Sequence, residues 1–191
     1  SGVPIEGEAG VGYVLRHSLD LPPLAFEPDE IDALVIGARM VQSWADPALR
    51  RAAESALAKI HSALPASRRD ALNHNRLFAP GAATYPVHWM MPLRDAIRQR
   101  HKVLLSYRTD SGEQSERLIW PLGLFFWGQV WTLCAWCELR ADFRNFRIDR
   151  IQDLQSQTAG FLPGPGQRLE DYLAGVCEEA PQMLEAEFKA R

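Results

Sequence analysis

Five short segments of alternating apolar and polar residues follow one another between residues 102 and 155, and they constrain the fold more than any other feature of the sequence. Side chains of a β-strand point alternately to its two faces, so such segments, separated by turn residues, predict neighbouring strands of one sheet. Five strands of this length joined by tight turns are typical of a small barrel or a strongly bent sheet. The predicted strands are 102–108, 116–126 with an interruption near Pro121, 130–137, 143–148 and 151–155.

Helices are predicted on the amino-terminal side of this sheet. Apolar residues at helical spacing follow Pro28 and two acidic residues, whose charge the helix dipole favours there, and they predict a helix from 28 to about 44. Asp46 is a good helix cap and Pro47 suits the first helical position, so a second helix should follow. We expect these two helices to pack as an antiparallel hairpin. A third, short helix is predicted over 92–100.

The two ends of the chain and one internal segment are less regular. Residues 11–16 predict a strand, and because a lone strand cannot bury its apolar face, we expect its partner upstream of this chain. Residues 66–88 predict a loop that contains one strand near 75–78. Residues 168–191 predict a helical tail that is broken near Pro181.

Composition and charge exclude several classes of protein. The chain has 191 residues, of which 47% are hydrophobic and 24% charged, as in ordinary globular domains. No segment approaches the roughly 18 consecutive apolar residues of a membrane-spanning helix, and a formal net charge of −3 excludes a generic basic nucleic-acid binder. The charge is uneven, however, because residues 94–150 carry ten basic and seven acidic residues against eleven and seventeen elsewhere. The strand-rich part is therefore basic and its flanks are acidic.

The cysteine pattern does not indicate a metal site, and the sequence contains none of the common catalytic motifs. Three cysteines form no disulfide framework, which suits a reducing compartment such as the cytoplasm. Cys134 and Cys137 have the spacing of half a zinc site, but no second pair lies nearby and residues three apart in a strand point to opposite faces. The sequence lacks a His-Glu-x-x-His helix, a Gly-x-Ser-x-Gly elbow and a phosphate-binding glycine-rich loop. We predict no metal, no cofactor and no enzymatic activity.

Arginines recur at every third residue at Arg144, Arg147 and Arg150, beside aromatic residues and close to Arg140. Guanidinium groups bind phosphate oxygens in a bidentate manner and aromatic rings stack on bases, so this cluster suits a flat anionic ligand. In a regular strand Arg147 points away from the other two, so the three converge only if the strand bends or ends between them. The alternative is that the arginines pair on a solvated sheet with the nearby acidic residues Asp142, Asp149 and Glu138.

A series of short motifs runs from residue 93 to residue 151. In chain order these are Ser106-Tyr107-Arg108, the turn Asp110-Ser111-Gly112, Arg117, Pro121-Leu122-Gly123, Trp131-Thr132-Leu133 and Arg144-Asn145-Phe146-Arg147-Ile148-Asp149-Arg150-Ile151. In this order the motifs resemble those of the WYL domain of bacterial transcriptional regulators. One residue departs from the family pattern, because Thr132 stands where the family has its central Tyr.

The resemblance implies an α+β fold with a helical hairpin region, a small Sm-like (SH3-type) five-stranded β-barrel and a C-terminal helical tail. It implies four regions: the remnant of a winged helix-turn-helix wing at 1–19, a helical linker at 20–90, the WYL domain at 91–160 and a C-terminal extension at 161–191. Most of the helix-turn-helix would then lie upstream of this chain.

The function implied by the resemblance is that of a ligand-sensing region in a cytoplasmic regulator. Its partners would be duplex DNA, bound through the upstream domain, a nucleotide or single-stranded nucleic-acid ligand, and a second copy in a homodimer, with no role for membranes. A constitutive Sm-like nucleic-acid-binding or assembly module without a signalling role is the alternative. The ligand site carried over by motif comprises Ser106, Tyr107, Arg117, Trp131, Arg144, Phe146, Arg147 and Arg150.

The resemblance also implies a role for each kind of residue in this site. The four arginines would hold phosphate, and Tyr107 and Trp131 would stack on the ligand or form hydrogen bonds to it. Phe146 is expected either in the site or in the core. Asp149 should orient a neighbouring arginine rather than touch the anion.

Overall fold

The computed structural model describes residues 6–8, 12–14, 24–65, 78–79 and 85–179, with the backbone alone at 6–8, 12–14 and 177–179. Its strands are β1 (Glu6–Glu8), β2 (Gly12–Val14), β3 (His101–Arg108), β4 (Gln114–Phe126), β5 (Trp131–Cys137), β6 (Asp142–Arg147) and β7 (Ile151–Gly160). The helices of the described ranges are α1 (Pro28–Trp44), α2 (Pro47–Ala63), α3 (Met90–Gln99) and α4 (Leu169–Glu179).

All five predicted strands occur in one antiparallel sheet with the order β6-β5-β4-β3-β7. The α+β class is therefore confirmed. The closed barrel is not confirmed, because β6 and β7 remain the two edges of an open sheet. Strand β7 continues to Gly160, five residues beyond the predicted end, since His101 at the start of β3 still pairs with it there.

The amino-terminal strand has its partner within the chain. Strands β1 and β2 pair antiparallel, with Glu6 opposite Val14. The expectation of a partner upstream was wrong because residues 6–8 contain two glutamates and no apolar residue, so they carry no strand pattern. The strand predicted near 75–78 and the tail beyond Glu179 fall outside the described residues, apart from Phe78, which is not in a strand.

The sheet is strongly curved. Strand β4 shifts register between Pro121 and Gly123, at the predicted interruption. Proline has no backbone N–H to donate, and it is tolerated at this position because the regular pattern of hydrogen bonds between the strands is already interrupted there. A 3-10 turn, Ile148–Arg150, carries the chain from one edge strand to the other. The backbone N–H of Arg147 on β6 donates to the hydroxyl of Tyr107 on β3 at 3.2 Å, across the two intervening strands.

The core lies between the concave side of the sheet and α3. Apolar side chains from β3, β4 and β5 alternate inward, and the helix covers them with one apolar face. Helix α4 packs elsewhere on the sheet, where a Cβ on Gly123 would lie 3.3 Å from Leu169 Cδ1, so glycine permits this close approach. The largest fully buried apolar side chains of the core are Met90, Leu93, Val103, Leu105, Ile119, Leu133 and Ile148.

The helical hairpin is attached to the sheet domain by a buried carboxylate. Asp46 caps α2, because its Oδ1 accepts from the backbone N–H groups of Ala48 and Leu49 at 2.9 and 3.1 Å. Its Oδ2 accepts from Arg94 Nη1 on α3 at 2.8 Å, and its side chain is completely buried. Burial alone would raise the pKa of Asp46, but the hydrogen bond from Arg94 and those from the backbone hold that pKa below its ordinary value.

In the described ranges, none of the helices combines the length and the apolar character that a membrane span needs.

Candidate anion-binding cleft

A cleft of about 490 Å³ opens at one end of the curved sheet, where β3 ends, β4 begins and the β5–β6 turn folds over. It is lined by polar and basic groups around an aromatic floor. The lining residues are Tyr107, Thr109, Ser115, Arg117, Cys137, Arg140, Arg144, Asn145 and Phe146.

Three arginines surround this cleft. In the described part of the chain, Arg117 and Arg140 have no carboxylate within 4.0 Å, and Arg117 donates only to the backbone carbonyl of Glu116 at 3.0 Å. Arg144 pairs with Asp142 at 3.3 Å, and both side chains are about half exposed, at 52% and 55%. Exposed pairs of this kind contribute about 0–1 kcal/mol, so Arg144 can exchange its partner for a bound anion. The cleft therefore has a strongly positive rim.

The floor of the cleft is a pair of rings in contact. Tyr107 and Phe146 meet edge to face with centroids 5.2 Å apart, a favoured geometry for aromatic pairs. Phe146 is only 6% exposed and belongs to the core, and the Tyr107 hydroxyl already accepts from the Arg147 backbone. The two rings thus fix the shape of the cleft and leave little aromatic surface for stacking on a base.

The remaining arginines of the predicted site are held by carboxylates. Arg147 donates from Nε and Nη2 to the two oxygens of Asp149 at 3.0 and 2.7 Å, so Asp149 orients an arginine, as predicted. These hydrogen bonds hold the pKa of Asp149 below its ordinary value and the pKa of Arg147 above it. Arg150 pairs with Asp110 at 2.5 Å. The strand ends at Arg147 and a 3-10 turn follows, which is why Arg150 does not continue the strand alternation.

Trp131 lies away from the cleft, at the contact between the sheet and the helical hairpin. Its indole N–H donates to the carbonyl of Trp44 at 2.8 Å, and its backbone N–H donates to the hydroxyl of Tyr85 at 2.7 Å. The Trp131 ring packs against Phe126 with centroids 4.9 Å apart.

The structure brings four of the eight predicted site residues together in the cleft: Tyr107, Arg117, Arg144 and Phe146. Ser106, Trp131, Arg147 and Arg150 do not line it. The sequence prediction did not include Arg140, although the pairing of β5 with β6 would have placed this turn residue beside Arg144. The polar lining residues that the prediction missed are Thr109, Ser115 and Asn145.

A second cleft of about 500 Å³ lies at the beginning of α4 and contains none of the eight predicted residues. Its charged lining is mixed, with Arg100 and Arg168 beside Glu170. The cleft on the sheet differs in its charge, because three arginines and no acidic residue line it.

The two cysteines of β5 are both buried and free. Cys137 belongs to the main core whereas Cys134 does not, in agreement with the predicted divergence of their side chains. Burial raises the pKa of the Cys134 thiol to about 12. No group of three His, Cys, Asp or Glu side chains that could hold a metal ion occurs among the described residues.

Comparisons with known proteins identify the sheet domain. The family profile of the WYL domain matches residues 88–156. Two proteins described as DNA-binding transcriptional repressor CapW, one from Escherichia coli and one from its strain KTE188, are each 38% identical over 66 residues. That match covers 34% of this chain and 21% of the relative, so it spans about a fifth of the length of these repressors.

A solved structure is also similar. Proteasome accessory factor B/C of Arthrobacter aurescens matches with a TM-score of 0.40 and 26% identity, over 76% of this chain and 22% of that protein. The family match covers α3, β3 to β6, the turn after them and the first part of β7, and it includes every residue that lines the cleft. Residues 88–156 of this chain therefore form a WYL domain, the family to which the sequence motifs pointed.

Proposed function

We propose that this chain is the ligand-sensing region of a DNA-binding transcriptional regulator, and that the cleft on its WYL domain binds the phosphate groups of a nucleotide or a single-stranded nucleic acid. The observation that carries the proposal is the rim of Arg117, Arg140 and Arg144, two of which have no carboxylate partner in the described ranges. The description of the CapW relatives as DNA-binding transcriptional repressors supports the regulatory role.

The chemistry of the cleft suits phosphate groups. Guanidinium groups offer paired N–H donors that match phosphate oxygens, and hydrogen bonds between charged partners are about twice as strong as neutral ones. The hydroxyls of Thr109 and Ser115 and the amide of Asn145 add neutral donors around the same space. With little exposed ring surface on its floor, the cleft would recognise the charged backbone of a ligand more than its bases.

Regulation would follow from linkage between two binding sites. A ligand that prefers one arrangement of the WYL domain and the helical hairpin shifts the DNA-binding equilibrium by its difference in affinity for the two arrangements. Such a regulator would act on DNA in the cytoplasm, as a homodimer on paired half-sites, without a catalytic step.

The test is fluorescence anisotropy of the 191-residue chain with short labelled single-stranded DNA. We expect Arg117→Ala, Arg140→Ala and Arg144→Ala each to weaken binding by about 10- to 150-fold, because each removes a charge-assisted hydrogen bond worth about 1.5–3 kcal/mol. Arg98→Ala is the matched control, because it also removes one positive charge but from a side chain that is 68% exposed on α3 and outside the cleft.

The salt dependence of the same measurement tests the phosphate contacts. Three arginine–phosphate contacts with a single strand predict that log Kd rises with log salt concentration with a slope of about 2. Each of the three substitutions should lower that slope, whereas Arg98→Ala should leave it unchanged. Absence of oligonucleotide binding, or equal losses in the control and the cleft variants, would contradict the proposal.

A further inference from the structure

The family's motif tryptophan contacts the helical hairpin instead of the cleft. Trp131 is half-buried between β4, α1 and the segment before α3, and it makes hydrogen bonds to Trp44 and Tyr85. We propose that Trp131 is the positioning residue that transmits occupancy of the cleft to the helical hairpin. This inference rests on the proposed function for the identity of the signal, but the mechanical connection itself can be tested without a ligand.

The contact with the hairpin supplies a hydrogen-bond donor to a backbone carbonyl at the end of α1. Trp44 is the last residue of α1, where backbone carbonyls have no partner within the helix. The Trp131 indole N–H fills that need at 2.8 Å, and the Trp44 ring packs on Phe126 and Tyr85 with centroids 5.4 and 6.1 Å away. The orientation of the last turn of α1 therefore depends on the position of Trp131.

The connection from Trp131 to the cleft is indirect and runs through two neighbouring strands. On β5 and β6, Thr132 pairs with Arg147 and Leu133 pairs with Phe146, so Trp131 lies one residue beyond the pair that adjoins the cleft floor. The backbone N–H of Arg147 donates to the Tyr107 hydroxyl, whose ring forms the other half of that floor. A shift of the floor therefore moves the end of β6.

Charged groups extend the same connection to Tyr85. Burial raises the pKa of Tyr85. The negative charge of Asp149 raises this pKa further, and the positive charge of Arg147 lowers it. The Tyr85 hydroxyl accepts from the Trp131 backbone N–H at 2.7 Å and approaches the Trp131 carbonyl at 3.3 Å. Tyr85 thus holds the Trp131 backbone by two hydrogen bonds and lies within electrostatic range of Arg147 and Asp149.

A second attachment fixes the turn of the hairpin to the WYL domain, so a rotation at this turn displaces the far end of the hairpin. Two residues after Trp44, Asp46 is bound to Arg94, so both sides of the hairpin turn are fixed to the WYL domain. Helix α1 has 17 residues and extends about 25 Å from this turn at 1.5 Å per residue. A small rotation at the Trp131 contact is therefore amplified at the amino-terminal end of α1.

The first experiment measures amide hydrogen exchange of the peptide covering residues 38–44, in the 191-residue chain without ligand. Trp131→Phe keeps a ring but removes the indole donor, and we expect exchange about fivefold faster, which corresponds to the loss of one hydrogen bond of about 1 kcal/mol. Trp120→Phe is the matched control, because its indole N–H donates to Glu138 at 2.6 Å, away from the hairpin. The control should leave this peptide unchanged.

The connection to the cleft is tested with Tyr107→Phe, which removes a hydroxyl on the cleft floor that has no contact with the hairpin. We expect Tyr107→Phe to accelerate amide exchange of residues 38–44 at least twofold, and by a larger factor than in β5 peptides. In the double variant with Trp131→Phe, Tyr107→Phe should cause no further acceleration. An unchanged α1 in Tyr107→Phe, or the same acceleration in both backgrounds, would overturn the proposal.

The last measurement separates the two proposals by adding a short single-stranded DNA. We expect Trp131→Phe to bind it with a Kd within about twofold of the parent, while the exchange change in α1 that the DNA causes in the parent disappears. Persistence of that change in Trp131→Phe refutes the role of Trp131. Failure of the parent to bind the DNA contradicts the proposed function instead, and the ligand-free exchange data still decide the role of Trp131.

Discussion

The buried carboxylate of Asp46 offers the sharpest test of how the hairpin is held to the WYL domain. It caps α2 and pairs with Arg94, so Asp46→Ala removes both interactions whereas Asp46→Asn retains a good cap and removes the charge. Comparison of the two variants therefore separates the cap from the ion pair.

The expected magnitude follows from burial. Loss of the cap costs about 1 kcal/mol. Removing one partner of a fully buried ion pair costs about 3–5 kcal/mol, but Arg94 is 27% exposed and can turn to water, so we expect about 1–2 kcal/mol here. Asp46→Ala should then lose about 2–3 kcal/mol and Asp46→Asn about 1–2 kcal/mol of unfolding free energy.

The assay is urea unfolding at pH 7 followed by tryptophan fluorescence, since Trp44 lies two residues from the substitution. With a slope of about 2 kcal/mol per molar urea, Asp46→Ala should lower the midpoint by about 1–1.5 M. Asp95→Ala is the control, because its carboxylate is 50% exposed and lies 3.7 Å from Arg98, a geometry worth at most about 0.5 kcal/mol. Equal midpoints for Asp46→Ala and Asp95→Ala would refute the reasoning.

The pH dependence supplies a second check. The pKa of Asp46 is lower in the folded protein than in the unfolded chain, so its contribution to stability is present above the ordinary carboxyl pKa of about 3.9. That contribution is lost as the pH falls through the lower, folded pKa. The difference in stability between the parent and Asp46→Asn should therefore be constant near neutral pH and shrink below about pH 4. A difference that grows on acidification would contradict the assignment.

Two further predictions concern the sheet. Gly123→Val should lower the unfolding free energy by about 1–3 kcal/mol, because even a Cβ would lie 3.3 Å from Leu169 Cδ1 and the larger side chain must displace the Leu169 side chain at the start of α4. An unchanged urea midpoint would contradict this packing. Cys134, buried and with its pKa raised to about 12, should resist iodoacetamide at pH 8 in the native protein and react in denaturant, as measured by peptide mass mapping. Rapid native labelling of Cys134 would show that its side chain is accessible.

Local sequence signals predicted the elements of this fold well because each has a local physical cause. Pro28 and Pro47 begin the two helices of the hairpin, and Pro121 marks the register shift in β4. Strand β1 was missed because its residues carry no apolar alternation, and it forms through pairing with β2. The open sheet could not be distinguished from a barrel, since closure depends on whether β6 and β7 pair, and neither strand's pattern specifies a partner.

The candidate site was only half predictable for a similar reason. The period of three in Arg144, Arg147 and Arg150 suggested one cluster, but the 3-10 turn changes the direction of the chain and each arginine meets a different carboxylate. Arg140 enters the cleft through a turn whose geometry depends on strand pairing. Trp131 belongs to a family motif, but its hydrogen-bond partners are Trp44 and Tyr85. Both are distant in the sequence, so no pattern around Trp131 predicts these contacts.

The order of strands in the sheet also determines when each strand can pair during synthesis. Strands β3 to β6 are joined by short turns, but β7 pairs with β3 through residues that are 44 to 59 positions apart in the chain. Until β7 docks, β3 is an unprotected edge that carries the core residues Val103 and Leu105. During synthesis at about 5–20 residues per second, that edge waits roughly 2–12 s for its partner to be made. The nascent WYL domain is therefore most exposed to aggregation in this interval, and chaperone binding should concentrate on β3.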